Sequence, residues 1–287
     1  PALPSIASSP RPLMRPSRLY QPLDVEGRVV LITGATSGIG EACAWRFAEL
    51  GAKLVLIGRR AERLDQLAAT LQREFPSLTP PCLIPLDVQD LAKLAALPDD
   101  LPERFKPVSI LVNNAGLALG VAPAWENDMA QVEQMLATNV AAVIGLTRAF
   151  LPGMRARAEG HVINIGSIAG HEAYAGGSVY CATKFAVDAF TTASRHDLVG
   201  TPIRVSVISP GLVNTEFSTV RLGAKDKADA VYKDLEPLVA SDIADNVIYA
   251  ATRPAHVQIA DIVVYPTNQA GPKNIARVGP SLGAEEH

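Results

Sequence analysis

The sequence predicts an α/β protein: one doubly wound domain with a mostly parallel seven-stranded sheet and helices on both faces. Three observations predict it. Short apolar runs alternate with longer helix-like patterns, which is the signature of βαβ units. The centres of those runs are nearly continuous Val, Ile and Leu, as expected for strands covered on both sides. A glycine-rich turn, Thr33-Gly34-Ala35-Thr36-Ser37-Gly38-Ile39-Gly40, joins the first run to the first helix pattern.

The first strand is placed at residues 29–33 and its helix at 41–50, stopped by Gly51. The second strand is 53–57, and the helix 61–74 ends before Pro76. The third strand is 82–86 and the fourth 110–113, followed by a long helix from about 127 to 157. The fifth strand, 161–167, precedes a helix at 179–198. Strands at 204–208 and 261–265 complete the sheet. No repeat or linker divides residues 27–269, so they are expected to form one domain. Residues 1–26 are expected to be a flexible arm and 270–287 a tail.

A chain of 287 residues, 48% hydrophobic and 19% charged, supplies one substantial core. A net charge of −3 offers no basic field for nucleic acid. No apolar stretch approaches the roughly 20 residues that a membrane-spanning helix requires. Cys43, Cys82 and Cys181 are far apart and lack C-x-x-C spacing. Reduced thiols in a cytoplasmic protein are the expectation, with no metal. Pro1 to Tyr20 carry Arg11, Arg15 and Arg18 and no acid, the composition of a mitochondrial targeting segment. Pro10, Pro12 and Pro16 work against the amphipathic helix that such a segment needs, which leaves a flexible arm as the preferred reading.

Four landmarks carry chemistry. In the glycine turn, backbone can approach a phosphate closely, and the following helix points unpaired N–H groups at it. Gly34, Thr36, Ser37, Gly38, Ile39 and Gly40 are the candidate contacts there. After the second strand, an NAD site places an acid about 20 residues beyond the turn. Here the residues are Gly58-Arg59-Arg60, with no acid before Glu62. Two guanidiniums suit a 2′-phosphate, so Arg59 and Arg60 point to NADP(H). The alternative, a solvated pair opening a helix, opposes the helix dipole. Asp87-Val88 ends the third strand, where the carboxylate can accept from an adenine amino group or cap a helix. Asn113-Asn114-Ala115-Gly116 ends the fourth with small residues; a cofactor lying against backbone and a structural turn both fit.

Tyr180 and Lys184 are one helical turn apart and share a face. A carbonyl accepting hydride needs a proton, and a tyrosine with pKa near ~10 is a poor base at neutral pH. A neighbouring ammonium, with an oxidised nicotinamide, favours the phenolate. Ser167, thirteen residues upstream of Tyr180, can donate to a substrate oxygen as charge develops there. Asn139 is a poor interior helix residue and by itself reads as structural.

Together, Thr33-Gly34-x-x-x-Gly38-Ile39-Gly40, Asn114-Ala115-Gly116, Asn139, Ser167, Tyr180-x-x-x-Lys184 and Pro210-Gly211-x-x-x-Thr215 resemble the short-chain dehydrogenase/reductase family over residues 27–269. The resemblance implies a Rossmann-type domain with Asn139, Ser167, Tyr180 and Lys184 as catalytic tetrad. In that tetrad Asn139 holds a water in a proton relay through Lys184. It also implies that Pro210, Gly211, Val213 and Thr215 line the nicotinamide and that the following segment closes over substrate. A narrower likeness, in Gly211 to Arg221, Arg253-Pro254 and Tyr265 to Gln269, is to NADP-dependent 3-hydroxy acid dehydrogenases. It implies a cytosolic homotetramer acting on serine, L-allo-threonine or 3-hydroxypropionate-type acids.

Such a small acid needs a cation to orient its carboxylate, and Arg221 can form the forked pair. A solvent-facing or intersubunit salt bridge is the equal alternative for Arg221. Two other functions stand as rivals. One is a broad carbonyl reductase for apolar ketones or aldehydes; the other is a dinucleotide-responsive binding protein without turnover, against which the complete tetrad argues.

Overall fold

The computed structural model describes residues 22–277. The strands β1 (Val29–Thr33), β2 (Lys53–Gly58), β3 (Cys82–Pro85), β4 (Val108–Asn113), β5 (Gly160–Ile165), β6 (Ile203–Pro210) and β7 (Asp261–Val264) form one sheet. Its order is β3-β2-β1-β4-β5-β6-β7, and every pairing is parallel. All seven apolar runs are strands, and the sheet is wholly parallel among the described residues. The helices are α1 (Gly38–Glu49), α2 (Ala61–Glu74), α3 (Leu91–Asp100), α4 (Met129–Leu136), α5 (Ala142–Ala156), α6 (Ser178–Asp197), α7 (Glu216–Leu222), α8 (Lys225–Tyr232) and α9 (Ala240–Ala251).

Side chains alternate along a strand, and that alternation divides the interior in two. Val30 and Ile32 of β1 and Leu54 and Leu56 of β2 pack with Phe47 of α1, Leu64 of α2 and Val247 of α9. Val29, Leu31, Val55 and Ile57 point the other way, onto Leu94 of α3 and Leu146 and Phe150 of α5. Buried polar groups join the layers. Asn113 Nδ2 donates to Asn164 Oδ1 (2.8 Å) from β4 to β5, and Asn164 Nδ2 donates to Thr191 Oγ1 on α6 (2.8 Å).

Several expectations need correction. No helix was expected between the third and fourth strands, yet α3 forms there. Asp90 caps it by accepting from the Lys93 N–H (3.1 Å), and Pro98 lies in its last turn. The long helix begins at Met129, capped by Asp128, and a π-turn at Ala137–Ala141 divides it into α4 and α5. Met129–Ala156 is also 28 residues long and apolar enough by composition to cross a membrane, contrary to the expectation that no such stretch exists. Here it is a core element, burying Met135, Leu146, Phe150 and Met154.

The domain also reaches past both expected boundaries. Val25 is buried in the core, and the Leu23 N–H donates to Thr252 O (2.6 Å). Beyond Gln269 the chain folds back so that Gln269 bridges Ile275, and Arg277 donates to Lys233 O (2.6 Å). The rest of the expected arm, up to residue 21, and of the tail, from 278, lie outside the described residues.

Strand order reverses between β1 and β4, and the crevice at that switch point is where an open α/β sheet receives ligand.

Candidate active site

A cavity of about 330 Å³ opens at the carboxyl ends of the strands. Arg59 and Arg60 follow β2, Asn114 follows β4 and Ser167 follows β5. From β2 to β5 is three strand spacings, about 14 Å, so the cavity suits an elongated ligand.

The glycine turn is built by close approach. Gly34 and Gly38 have φ of +66° and +55°, a region that residues with a Cβ seldom enter. Asn114 locks the turn from across the sheet, its Nδ2 donating to Thr33 O (2.8 Å), while the Asn114 and Ala115 N–H groups both donate to Thr33 Oγ1. Ser37 is the N-cap of α1, but its side chain makes no capping bond. The first N–H groups of that helix therefore remain available to an anion. Gly40 differs from the other candidate contacts of the turn because it does not line the cavity. A Cβ there would lie 2.3 Å from Gly34 O and 2.4 Å from Asn114 Nδ2, so its role is to let the turn and the β4 end touch.

Arg59, Arg60, Asp87 and Val88 line the cavity beside β2 and β3. Arg60 donates to the Thr36 and Ser37 hydroxyls (both 2.9 Å), and Arg59 faces Asp87 at 3.8 Å. Asp87 accepts from the Gln89 N–H two residues on (3.0 Å), a local turn, while Asp90 caps the helix. This basic end, next to an open helix N-terminus and small backbone at Ala115 and Gly116, fits a phosphorylated dinucleotide.

At the other end Ser167, Tyr180 and Lys184 converge. Ser167 caps a short 3-10 turn, its Oγ accepting from the Ala169 N–H (3.1 Å). Lys184 Nζ donates to Ile165 O (2.9 Å) and lies 5.8 Å from the Tyr180 ring centroid. Burial brings the Lys184 pKa down to about 8. Burial also pushes the Tyr180 phenol well above its ordinary value; the Ser167 hydroxyl and Arg221 oppose that, and Tyr174 adds to it. With its pKa raised in this way, Tyr180 is a neutral phenol at neutral pH.

Asn139 stands apart from the cavity. Its side chain accepts from the Leu117 N–H (2.9 Å) and donates to Leu117 O (2.7 Å) and Thr183 Oγ1 (3.1 Å). Those bonds fix Asn139 within the π-turn, a feature frequent at functional sites. Its neighbour Thr138 does line the cavity, with a buried hydroxyl that has no hydrogen-bond partner among the described residues.

Pro210, Gly211, Val213 and Thr215 line the cavity from β6 outward, and the segment beyond them forms its lid. The Phe217 ring lies 5.6 Å from that of Tyr180. Arg221, the expected carboxylate partner, does not line the cavity. Its guanidinium donates to Tyr174 Oη (2.8 Å), Gly176 O (3.1 Å) and Gly120 O (3.3 Å), which fastens the lid to the wall. Sequence reasoning passed over Leu117, Thr138, Glu216, Phe217 and Val220 as cavity residues, although the last three fall within or beside the recognised lid run. Outside the cavity His171, Asp188 and Asp261 bring ligand atoms within 4.8 Å of one another, a spacing that could hold a metal.

The comparisons agree with this geometry. The sequence profile described as short chain dehydrogenase matches residues 28–225. An NADP-dependent 3-hydroxy acid dehydrogenase of Schizosaccharomyces pombe is 42% identical over 255 residues, covering 88% of this chain and 98% of that enzyme. Sulfoacetaldehyde reductase 2 of Chromohalobacter salexigens is 45% identical over 244 residues, covering 84% and 95%. The closed form of a serine dehydrogenase complexed with NADP+ aligns with a TM-score of 0.80 at 43% identity, covering 84% of this chain and 96% of that one. The profile match alone takes in the glycine turn, Ser167, Tyr180, Lys184 and the lid's first helix, and with these identities it shows that the chain belongs to the short-chain dehydrogenase family.

Proposed function

We propose that the protein is an NADP(H)-dependent oxidoreductase interconverting a small 3-hydroxy acid, of the serine or L-allo-threonine type, and its 3-oxo product. The observation that carries this reading is one cavity holding a paired-arginine end and a Ser167–Tyr180–Lys184 end. A bound nicotinamide supplies or takes up the hydride. Ser167 donates to the substrate oxygen, and the Tyr180 phenol exchanges the proton with it. Lys184, anchored on Ile165 O, stabilises the phenolate that reduction leaves behind and relays a proton through a water held by Asn139.

A second reading, a carbonyl reductase for uncharged substrates, is favoured by the apolar cover of Leu117, Phe217 and Val220 and by the prior engagement of Arg221. One assay tests both: turnover of serine and L-allo-threonine against simple alcohols of similar size. Preference for the uncharged set would overturn the hydroxy acid. In the same assay Arg59→Ala is expected to weaken NADPH about tenfold and NADH little, since only the phosphorylated cofactor loses a charge-assisted bond. Equal losses would remove Arg59 from the 2′-phosphate site.

The homotetramer is supported by apolar side chains left at the surface, among them Leu136 and Ile144 on the long helix and Phe185 on α6. Among the described residues β7 is also an edge strand, with Val263 exposed. Sedimentation at the mass of one chain would count against it.

A further inference from the structure

Both arginines assigned to the 2′-phosphate already face protein carboxylates. Arg59 meets Asp87 loosely, at 3.8 Å. Arg60 is held closely, its Nη1 donating to Glu216 Oε2 at 2.9 Å. Arg63, in the first turn of α2, donates to the other oxygen of Glu216 at 2.6 Å. Glu216 lines the cavity and is the first residue of α7. Its neighbours in sequence touch the rest of the site. Thr215 rests on the glycine turn, where a Cβ at Gly38 would come within 3.2 Å of its methyl group, and Phe217 covers Tyr180. The bonds from Arg63 and Arg60 hold the Glu216 carboxyl below its ordinary range, so it is an anion at neutral pH.

A carboxylate gripped by two guanidiniums presents the charge and acceptor pattern of one edge of a phosphate. We propose that Glu216 stands in for the 2′-phosphate of NADP(H): it latches the lid to Arg60 and Arg63, and the arriving phosphate displaces it. This rests on the reading of Arg59 and Arg60 as the 2′-phosphate site. The exchange is driven by charge, because a phosphate near −2 pairs with the arginines more strongly than a carboxylate does. The two anions repel each other at close range, so they do not share Arg60. A cofactor without the phosphate has nothing to exchange and leaves the latch closed. Cofactor choice is then made twice, at the arginines and at the lid.

The test uses wild type and Glu216→Gln. NADPH and NADH affinities are read by nicotinamide fluorescence. Amide hydrogen exchange of residues 216–222 is followed with adenosine 2′,5′-bisphosphate and with 5′-AMP. In E216Q, NADPH is expected to bind about fivefold tighter and NADH within about twofold of wild type. In wild type the bisphosphate, and not AMP, is expected to speed exchange in α7; in E216Q that exchange is fast from the start. Unchanged or weaker NADPH binding in E216Q, or identical exchange with the two nucleotides, would overturn the latch. Wild type binding NADPH no tighter than NADH would overturn the phosphate site itself, and the latch with it.

Discussion

Tyr180→Phe is expected to lower turnover by about 10²- to 10⁴-fold, the range that a positioned acid or base contributes. The substitution removes one oxygen and almost no volume. The ring keeps its contact with Phe217, and Lys184 keeps its bond to Ile165 O, so NADPH should still bind within about twofold of wild type. Reduction suffers because the neutral phenol of the resting site is the group that protonates a forming alkoxide. Oxidation suffers because the Tyr180 hydroxyl, hydrogen-bonded to Ser167, is the group placed to take the proton of the alcohol. Steady-state rates in both directions, with cofactor binding followed by fluorescence, decide the point. Turnover within tenfold of wild type would take Tyr180 out of the proton path.

Gly40→Ala is expected to be the most damaging single methyl in the domain. The added carbon meets Gly34 O at 2.3 Å, which is backbone, and Asn114 Nδ2 at 2.4 Å, which is held by its bond to Thr33 O. Relief requires the glycine turn to leave the β4 end, which breaks the Asn114 bond to Thr33 O. Overpacking of this kind costs about 3 kcal/mol, or roughly a 6–12 °C fall in Tm for a domain of this size. The cradle for the phosphates moves as well, so added NADPH should raise the variant's Tm far less than that of wild type. Gly153→Ala is the control: its Cβ would find only Arg157 Nη1, at 3.6 Å, inside α5. There the methyl group should be neutral or stabilising, by up to about 1 kcal/mol. A Gly40→Ala protein that melts like the Gly153→Ala protein would mean that the turn can give way at no cost.

What could be read from the sequence follows from what is local. Central strands buried on both faces are largely apolar and announce themselves as runs such as Val29-Val30-Leu31-Ile32. The half-exposed edge strands β3 and β7 are legible from shorter Leu, Ile and Val runs. The helix pair Tyr180 and Lys184 is legible because one turn fixes their common face. Pairings across the chain leave no such mark. Nothing beside Asn139 says that its amide bridges Leu117 and Thr183, and nothing beside Arg221 says that Tyr174 and two carbonyls use its guanidinium. Helix α8 is short and mostly polar on its outer face, burying only Ala228, so its periodicity is too weak to read. The π-turn is likewise silent, since its residues Ala137 to Ala141 are ordinary helix residues apart from Asn139.

The polar thread from Asn113 through Asn164 to Thr191 has a consequence for inheritance. It ties β4 and β5 to the helix that carries the catalytic pair, and every link is buried. Changing one member alone strands a donor or acceptor of the next, at about 1–3 kcal/mol for each stranded group. Replacing all three with apolar residues of matching shape can be nearly neutral. Descendants of this chain can therefore keep the thread whole or exchange it whole, and the paths between pass through a weakened ancestor. Among relatives these three positions should vary as one character, whatever substrate each enzyme has come to use.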